Sequence, residues 1–67
     1  MLTTSEIAFI ENVKNNIGSL NSSKKVAVFF QRIKNRVLNE NDKNCMCGLV
    51  YRKIYIKDFL EWYESIA

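Results

Sequence analysis

The apolar residues in the first part of the chain recur every three or four positions. Ile7, Ile10, Val13 and Ile17 follow this spacing, with Phe9 to one side of them. Residues spaced in this way share one face of an α-helix. The pattern therefore predicts a first helix with a single apolar face.

The ends of this helix are indicated by their capping residues. Thr3 and Glu6 have the spacing of a capping box, in which each side chain binds the other residue's backbone N–H. Gly18 follows the last apolar position and suits a helix stop, because glycine adopts the left-handed conformation without steric cost. These signals place the first helix at residues 4–17.

A second helix is predicted at residues 23–39. Ser23 is its candidate N-cap, and a continuous apolar stripe follows at helical spacing. The stripe consists of Val26, Phe29, Phe30, Ile33 and Val37. Residues 39–44 are polar and rich in Asn and Asp, which favour turns, so they are predicted to be a loop.

The remaining segment allows two interpretations. A helix at 47–65 would place one apolar set on a common face and an aromatic stripe beside it. The first set is Leu49, Ile56, Phe59, Leu60 and Tyr63, and the stripe is Tyr51, Tyr55 and Trp62. Residues 49–56 are also rich in β-branched and aromatic side chains, so a short strand is the less favoured variant.

Together these elements predict an all-α fold, a small three-helix domain that spans residues 1–67. The chain has no proline and two glycines, which disfavours a fold with many strands and turns. The third helix has more aromatic surface than two short helices can cover. This excess favours a homo-oligomer or a larger protein partner.

Composition excludes several classes of protein. With 48% hydrophobic and 25% charged residues the chain is not of the disordered type. It has no apolar run of membrane-spanning length and no basic start followed by an apolar segment, so no membrane association or signal peptide is expected. We expect a cytoplasmic protein, in the host cytoplasm if it is viral.

The charges are unevenly distributed along the chain. The net charge is +3, and the six charged residues between Lys14 and Arg36 are all basic. On the second helix the bases lie beside the apolar stripe without the acidic partners that usually accompany them at i, i+4. We therefore predict phosphate contacts by Lys24, Lys25, Arg32 and Arg36, extended by Arg52 and Lys53 of the third helix. Gln31 and Asn35 are candidate readers of base edges.

A helix-turn-helix is the DNA-binding motif closest to this arrangement. The connection from Gly18 to Ser22 has a suitable length, which would make 23–39 the recognition helix. The sequence carries no residue signature that identifies a particular family.

The segment Asn44-Cys45-Met46-Cys47-Gly48 contains both cysteines. Structural zinc takes four ligands from Cys and His, and this chain has two cysteines and no histidine. A zinc site would therefore require Cys45 and Cys47 of two copies. The simpler interpretation is that the thiols are partly buried at a helix start, with Met46 packed in the core.

Catalysis is not expected. The commonest general base, histidine, is absent, and the carboxylates do not pair. No glycine-rich phosphate loop is present, and so short a chain offers little room for a pocket. We expect no cofactor and no small-molecule substrate.

Two functions remain open. The first is a non-enzymatic DNA-binding regulatory or virus-encoded accessory protein that acts through the basic helix face. The alternative is a protein–protein interaction module, an assembly or inhibitor protein, that docks through the aromatic residues Tyr51, Tyr55 and Trp62.

Overall fold

The computed structural model describes residues 1–66, and all regular secondary structure within that range is helical. The helices are α1 (Thr4–Asn15), α2 (Ile17–Leu20), α3 (Lys24–Leu38) and α4 (Leu49–Ile66). The predicted all-α class is therefore confirmed, and α1, α3 and α4 correspond to the three expected helices. Ala67, the last residue of the predicted domain, lies outside the described residues.

The start of α1 follows the sequence prediction, but its end does not. Thr3 and Glu6 form both hydrogen bonds of the capping box. The helix ends at Asn15 rather than at 17, because Asn16 leaves the helical conformation and its Nδ2 donates to the carbonyl O of Asn12 at 2.8 Å. Gly18 lies inside the single turn of α2 without a positive φ, so the predicted glycine stop is wrong.

Helix α3 begins and ends with side chains suited to those positions. The hydroxyl of Ser23 accepts the N–H of Val26 at 3.3 Å, which confirms the predicted cap. Asn39 ends the helix in the left-handed conformation, with φ of 54°. Asparagine tolerates this conformation better than most residues do, so it takes the place that glycine often has.

Helix α4 is continuous from Leu49 to Ile66, and the strand variant at 49–56 is not observed. Ile56, Phe59 and Tyr63 are buried at spacings of three and four. In a strand, alternate residues would lie on opposite faces, and the strand would need a partner strand. Residues 1–66 contain no strand. Packing against α3 therefore outweighs the β propensity of 49–56.

The core lies where α1, α3 and α4 pack against one another. Its centre is a stacked pair, Phe30 on Phe59, with ring centroids 4.0 Å apart and planes 14° apart. Around this pair the buried residues come from α1, α3, α4 and the loop that precedes α4. They are Ile10, Val13, Val26, Ala27, Ile33, Met46, Ile56 and Tyr63.

Polar contacts join α1 to the two longer helices. The hydroxyl of Tyr63 donates to Glu11 Oε2 at 2.9 Å. Lys14 Nζ lies 2.6 Å from Glu64 Oε1, and Glu6 pairs with Arg36. These contacts use carboxylates from α1 and α4, so they do not neutralise the bases at the start of α3.

Among residues 1–66, none of the helices is both long enough and apolar enough to cross a membrane.

Candidate nucleic-acid interface and thiol loop

A shallow depression of about 430 Å³ lies on the outer surface of α3. Lys24, Lys25 and Arg32 stand around it, and Val28 and Phe29 form its floor. Lys25, Val28, Phe29 and Arg32 have helical spacings of three and four, so the helix itself brings them to one face. We call these five residues the basic depression.

The three cations of the basic depression are exposed. Within residues 1–66 the ion pairs are Lys14–Glu64 and Arg36–Glu6, so none of these cations is neutralised by a carboxylate of the described chain. Unpaired cations around an open concave surface are the arrangement that attracts phosphate groups.

Phe29 is the residue of this surface that the sequence pattern assigned wrongly. It was predicted to be core, yet it is 37% exposed. Its ring rests against Phe9, with centroids 4.5 Å apart, and its remaining surface opens into the depression. A signal was present, because adjacent Phe29 and Phe30 point about 100° apart on a helix and only one can face the centre of the core.

Arg36 lies one helical turn beyond Arg32, toward the C-terminal end of α3 and outside the basic depression. Its guanidinium pairs with Glu6, and its Nη1 donates to the carbonyl O of Met1 at 3.0 Å. The backbone N–H of Thr3 lowers the pKa of Glu6, and Arg36 lowers it further. Arg36 therefore joins the N-terminus to α3, and its charge is paired with Glu6 although the side chain remains exposed.

Arg52 is also engaged within the fold. Its Nε donates to the carbonyl O of Ser22 at 2.8 Å, and its Nη1 donates to the carbonyls of Met46 and Cys47, both at 3.0 Å. The side chain thus joins the turn before α3 to the loop before α4. Lys53, its neighbour, is exposed beside Ile17 in a different groove.

The two amides predicted to read bases hold the loop that follows α3. Gln31 is buried, and its Nε2 donates to the carbonyl O of Asn44 at 3.0 Å. Asn35 makes two bonds with the backbone of Asp42, donating to its carbonyl O at 2.9 Å and accepting its N–H at 3.1 Å. Both amides are therefore engaged within the fold, whereas the sequence pattern placed them free on the polar face.

The aromatic stripe divides into a covered part and an open part. Lys34 Nζ lies 6.0 Å from the ring centroid of Tyr55 and 5.9 Å from that of Trp62, so α3 covers both rings with a cation–π contact. Burial raises the pKa of Tyr55 to about 12. Tyr51 is 40% exposed, and it is the member of the stripe most open to a partner.

An exposed apolar surface surrounds Tyr51 on the first two turns of α4. Leu49, Val50 and Ile54 are each at least half exposed, and Val50 reaches 69%. Leu49 was predicted to be core, but the core side of α4 begins to pack only at Tyr55 and Ile56. We call Leu49, Val50, Tyr51 and Ile54 the apolar patch.

The loop between Asn44 and Gly48 buries its central residue and exposes the two residues beside it. Met46 is fully buried with φ of 56°, which confirms its predicted core role. Cys45 and Cys47 are both exposed, so the prediction that they are partly buried is wrong. Within residues 1–66 no group of three or more His, Cys, Asp or Glu side chains is placed to hold a metal ion.

Models of known protein families, curated proteins and solved structures were compared with this chain, and none of them matches it.

Proposed function

We propose that this chain is a small, non-enzymatic nucleic-acid-binding module that acts through the basic depression. The observation that supports this most is the placement of Lys24, Lys25 and Arg32 around an exposed Phe29, with no carboxylate of residues 1–66 paired to any of them. Cations around an aromatic ring combine the two contacts that nucleic-acid strands offer, phosphate charge and the flat face of a base.

The three cations contact phosphates, and Phe29 stacks on a base. A ring on the floor of a depression reaches only a base that is turned away from its own helix, so the preferred ligand is a single strand. Each phosphate contact to a single strand contributes about −0.7 to the slope of log K against log salt concentration. Three contacts therefore predict a slope of about −2.

Fluorescence anisotropy with a labelled single-stranded oligonucleotide tests this proposal. The double variant Lys25→Glu/Arg32→Glu should lose binding and the salt dependence. Lys43→Glu/Lys57→Glu is the matched control, because it makes the same change in net charge at exposed positions outside the depression. Equal weakening in both variants would show that only net charge matters, and absence of wild-type binding at low salt would refute the proposal.

A second arm of the same experiment tests the stacking contact. Phe29→Ala should weaken single-strand binding about 5- to 150-fold, since base–aromatic stacking contributes about 1–3 kcal/mol. Binding to a duplex of the same sequence should change much less. A Phe29→Ala variant that binds the single strand as tightly as the wild type would contradict the stacking role.

The second candidate function is self-association through the apolar patch. Contiguous exposed apolar residues indicate an interface, and the charges of α4 suit a second copy in antiparallel orientation. Lys53 and Lys57 lie in the first half of the helix, and Asp58 and Glu61 lie in the second half. An antiparallel pair would place each basic half against the partner's acidic half.

Sedimentation of the purified chain tests the second candidate. A dimer should form at micromolar concentration and dissociate in Val50→Ser/Ile54→Ser, whose two changes both fall within the apolar patch. A wild-type chain that remains monomeric across the accessible concentration range would exclude self-association.

A further inference from the structure

We propose that Cys45 and Cys47 form a two-thiolate binding site for a soft metal ion within a single chain, and that monovalent copper is the ion that fits it best. The proposal does not depend on nucleic-acid binding. It rests on the loop architecture, the closeness of the two cysteines, the positive charge of Arg52 beside them and the number of ligands present.

The backbone that carries the two thiols is fixed from both sides. Gln31 of α3 donates to the carbonyl O of Asn44, whose side chain accepts the N–H of Met46 at 2.9 Å. Arg52 of α4 donates to the carbonyls of Met46 and Cys47. The thiols therefore occupy defined positions before any ligand binds, which is what a metal site requires of its supporting residues.

The buried side chain between the cysteines determines where they point. Met46 enters the core completely, while Cys45 and Cys47 on either side of it remain exposed. Cys47 Sγ donates to the carbonyl O of Cys45 at 3.6 Å, so the second thiol lies against the backbone of the first cysteine. The fold thus presents two neighbouring sulfur atoms to the solvent.

The guanidinium of Arg52 places a positive charge beside the two cysteines. Its Nη1 donates to the carbonyls of Met46 and Cys47, both at 3.0 Å. The neighbouring Cys47 lowers the pKa of Cys45, whereas Cys45 raises the pKa of Cys47. The charge of Arg52 would stabilise the negative charge of a bis-thiolate complex.

The number of ligands decides which metal fits. Structural zinc requires four protein ligands, and no third Cys, His, Asp or Glu joins the two cysteines among residues 1–66. Thiolate ligands select Cu⁺, which two sulfur atoms satisfy. Binding one Cu⁺ forms two Cu–S bonds, breaks both S–H bonds and releases two protons, which leaves a complex with a single negative charge.

The test is an anaerobic titration of the reduced full-length chain with Cu⁺ supplied from a coloured competing chelator. We expect one Cu⁺ per chain, with the chain sedimenting at an unchanged mass. Cys45→Ser and Cys47→Ser should each weaken binding by more than about 100-fold, since loss of a ligand exceeds the effect of losing a supporting residue.

The remaining outcomes separate this site from its alternatives. One Cu⁺ or one Zn²⁺ per two chains, accompanied by dimer formation, would overturn the single-chain site in favour of a shared one. One equivalent of Cu⁺ should also raise the thermal unfolding midpoint, because the folded loop binds better than the unfolded chain. Binding without such a rise would overturn the claim that the fold builds the site.

Discussion

Replacing Arg52 by lysine separates the structural role of this residue from its charge. The substitution keeps one positive charge at the same position of α4. A lysine has a single ammonium group, whereas Arg52 donates from Nε and Nη1 to three carbonyls at 2.8, 3.0 and 3.0 Å. We expect Arg52→Lys to destabilise the fold although the net charge does not change.

The size of the loss follows from these bonds. A hydrogen bond from a charged donor contributes about 1.5–3 kcal/mol. The lysine retains one of the three bonds, and water replaces part of the others because Arg52 is only half-buried. We therefore expect a loss of about 2 kcal/mol, from a total of about 3–10 kcal/mol for a chain of this length. The midpoint of thermal unfolding should fall by about 8–16 °C.

Urea unfolding followed by circular dichroism measures this loss. The matched control is Lys53→Gln, which removes a charge from the neighbouring exposed position and should change the unfolding free energy by less than about 0.5 kcal/mol. If Arg52→Lys were as stable as the wild type, or Lys53→Gln lost as much, Arg52 would not stabilise the fold by joining the turn before α3 to the loop before α4.

Three further predictions concern the core, a helix end and alkaline stability. Phe30→Ala should lower the free energy of unfolding in urea by about 3–5 kcal/mol, whereas Phe29→Ala should lower it by about 1 kcal/mol. Similar losses in the two variants would contradict the different burial of the two rings. Asn39→Ala should lower the free energy of unfolding by about 1 kcal/mol, because alanine is strained in the left-handed backbone conformation of this position, whereas Asn39→Gly should not lower it. Equal losses in the two variants would contradict that conformation. Above pH 10 the unfolded chain loses the Tyr55 proton that the folded chain keeps until about pH 12, so stability should fall across this interval. Tyr55→Phe should flatten that part of the pH profile, and an unchanged profile would refute the assignment.

The sequence was sufficient to predict a structural feature where the local pattern and the tertiary packing favour the same arrangement. The capping box of Thr3 and Glu6, the cap at Ser23 and the buried Met46 were all predictable, because each depends on a short segment. The helical period of Ile56, Phe59 and Tyr63 also outweighed the β propensity around it, as the apolar spacing suggested.

The sequence was insufficient to predict the contacts of a polar side chain that could either face the solvent or bind another part of the fold. Gln31 and Asn35 lie on a polar face by spacing alone, but the loop after α3 needs partners for its backbone and takes both amides. Arg36 and Arg52 were predicted to contact phosphates, and their contacts with Glu6 and with backbone carbonyls appear only once the helices are packed.

The exposure of Phe29 matters most for the proposed function. The apolar spacing of α3 does not distinguish a residue at the centre of the stripe from one at its edge. Only the position of α1 determines that the ring of Phe29 rests against Phe9 and leaves part of its surface exposed. The cations of the basic depression were predictable from the sequence, whereas its exposed aromatic ring became evident only from the packing of the helices.

Single-strand binding measured across a series of salt concentrations, for the wild type and for Lys25→Glu/Arg32→Glu, is the most direct test of nucleic-acid binding through the basic depression. Three phosphate contacts predict a wild-type slope of about −2 in log K against log salt concentration, and we expect no measurable binding by a variant that remains folded. A wild-type chain that does not bind at low salt, or a folded variant that binds with the same slope, would contradict it.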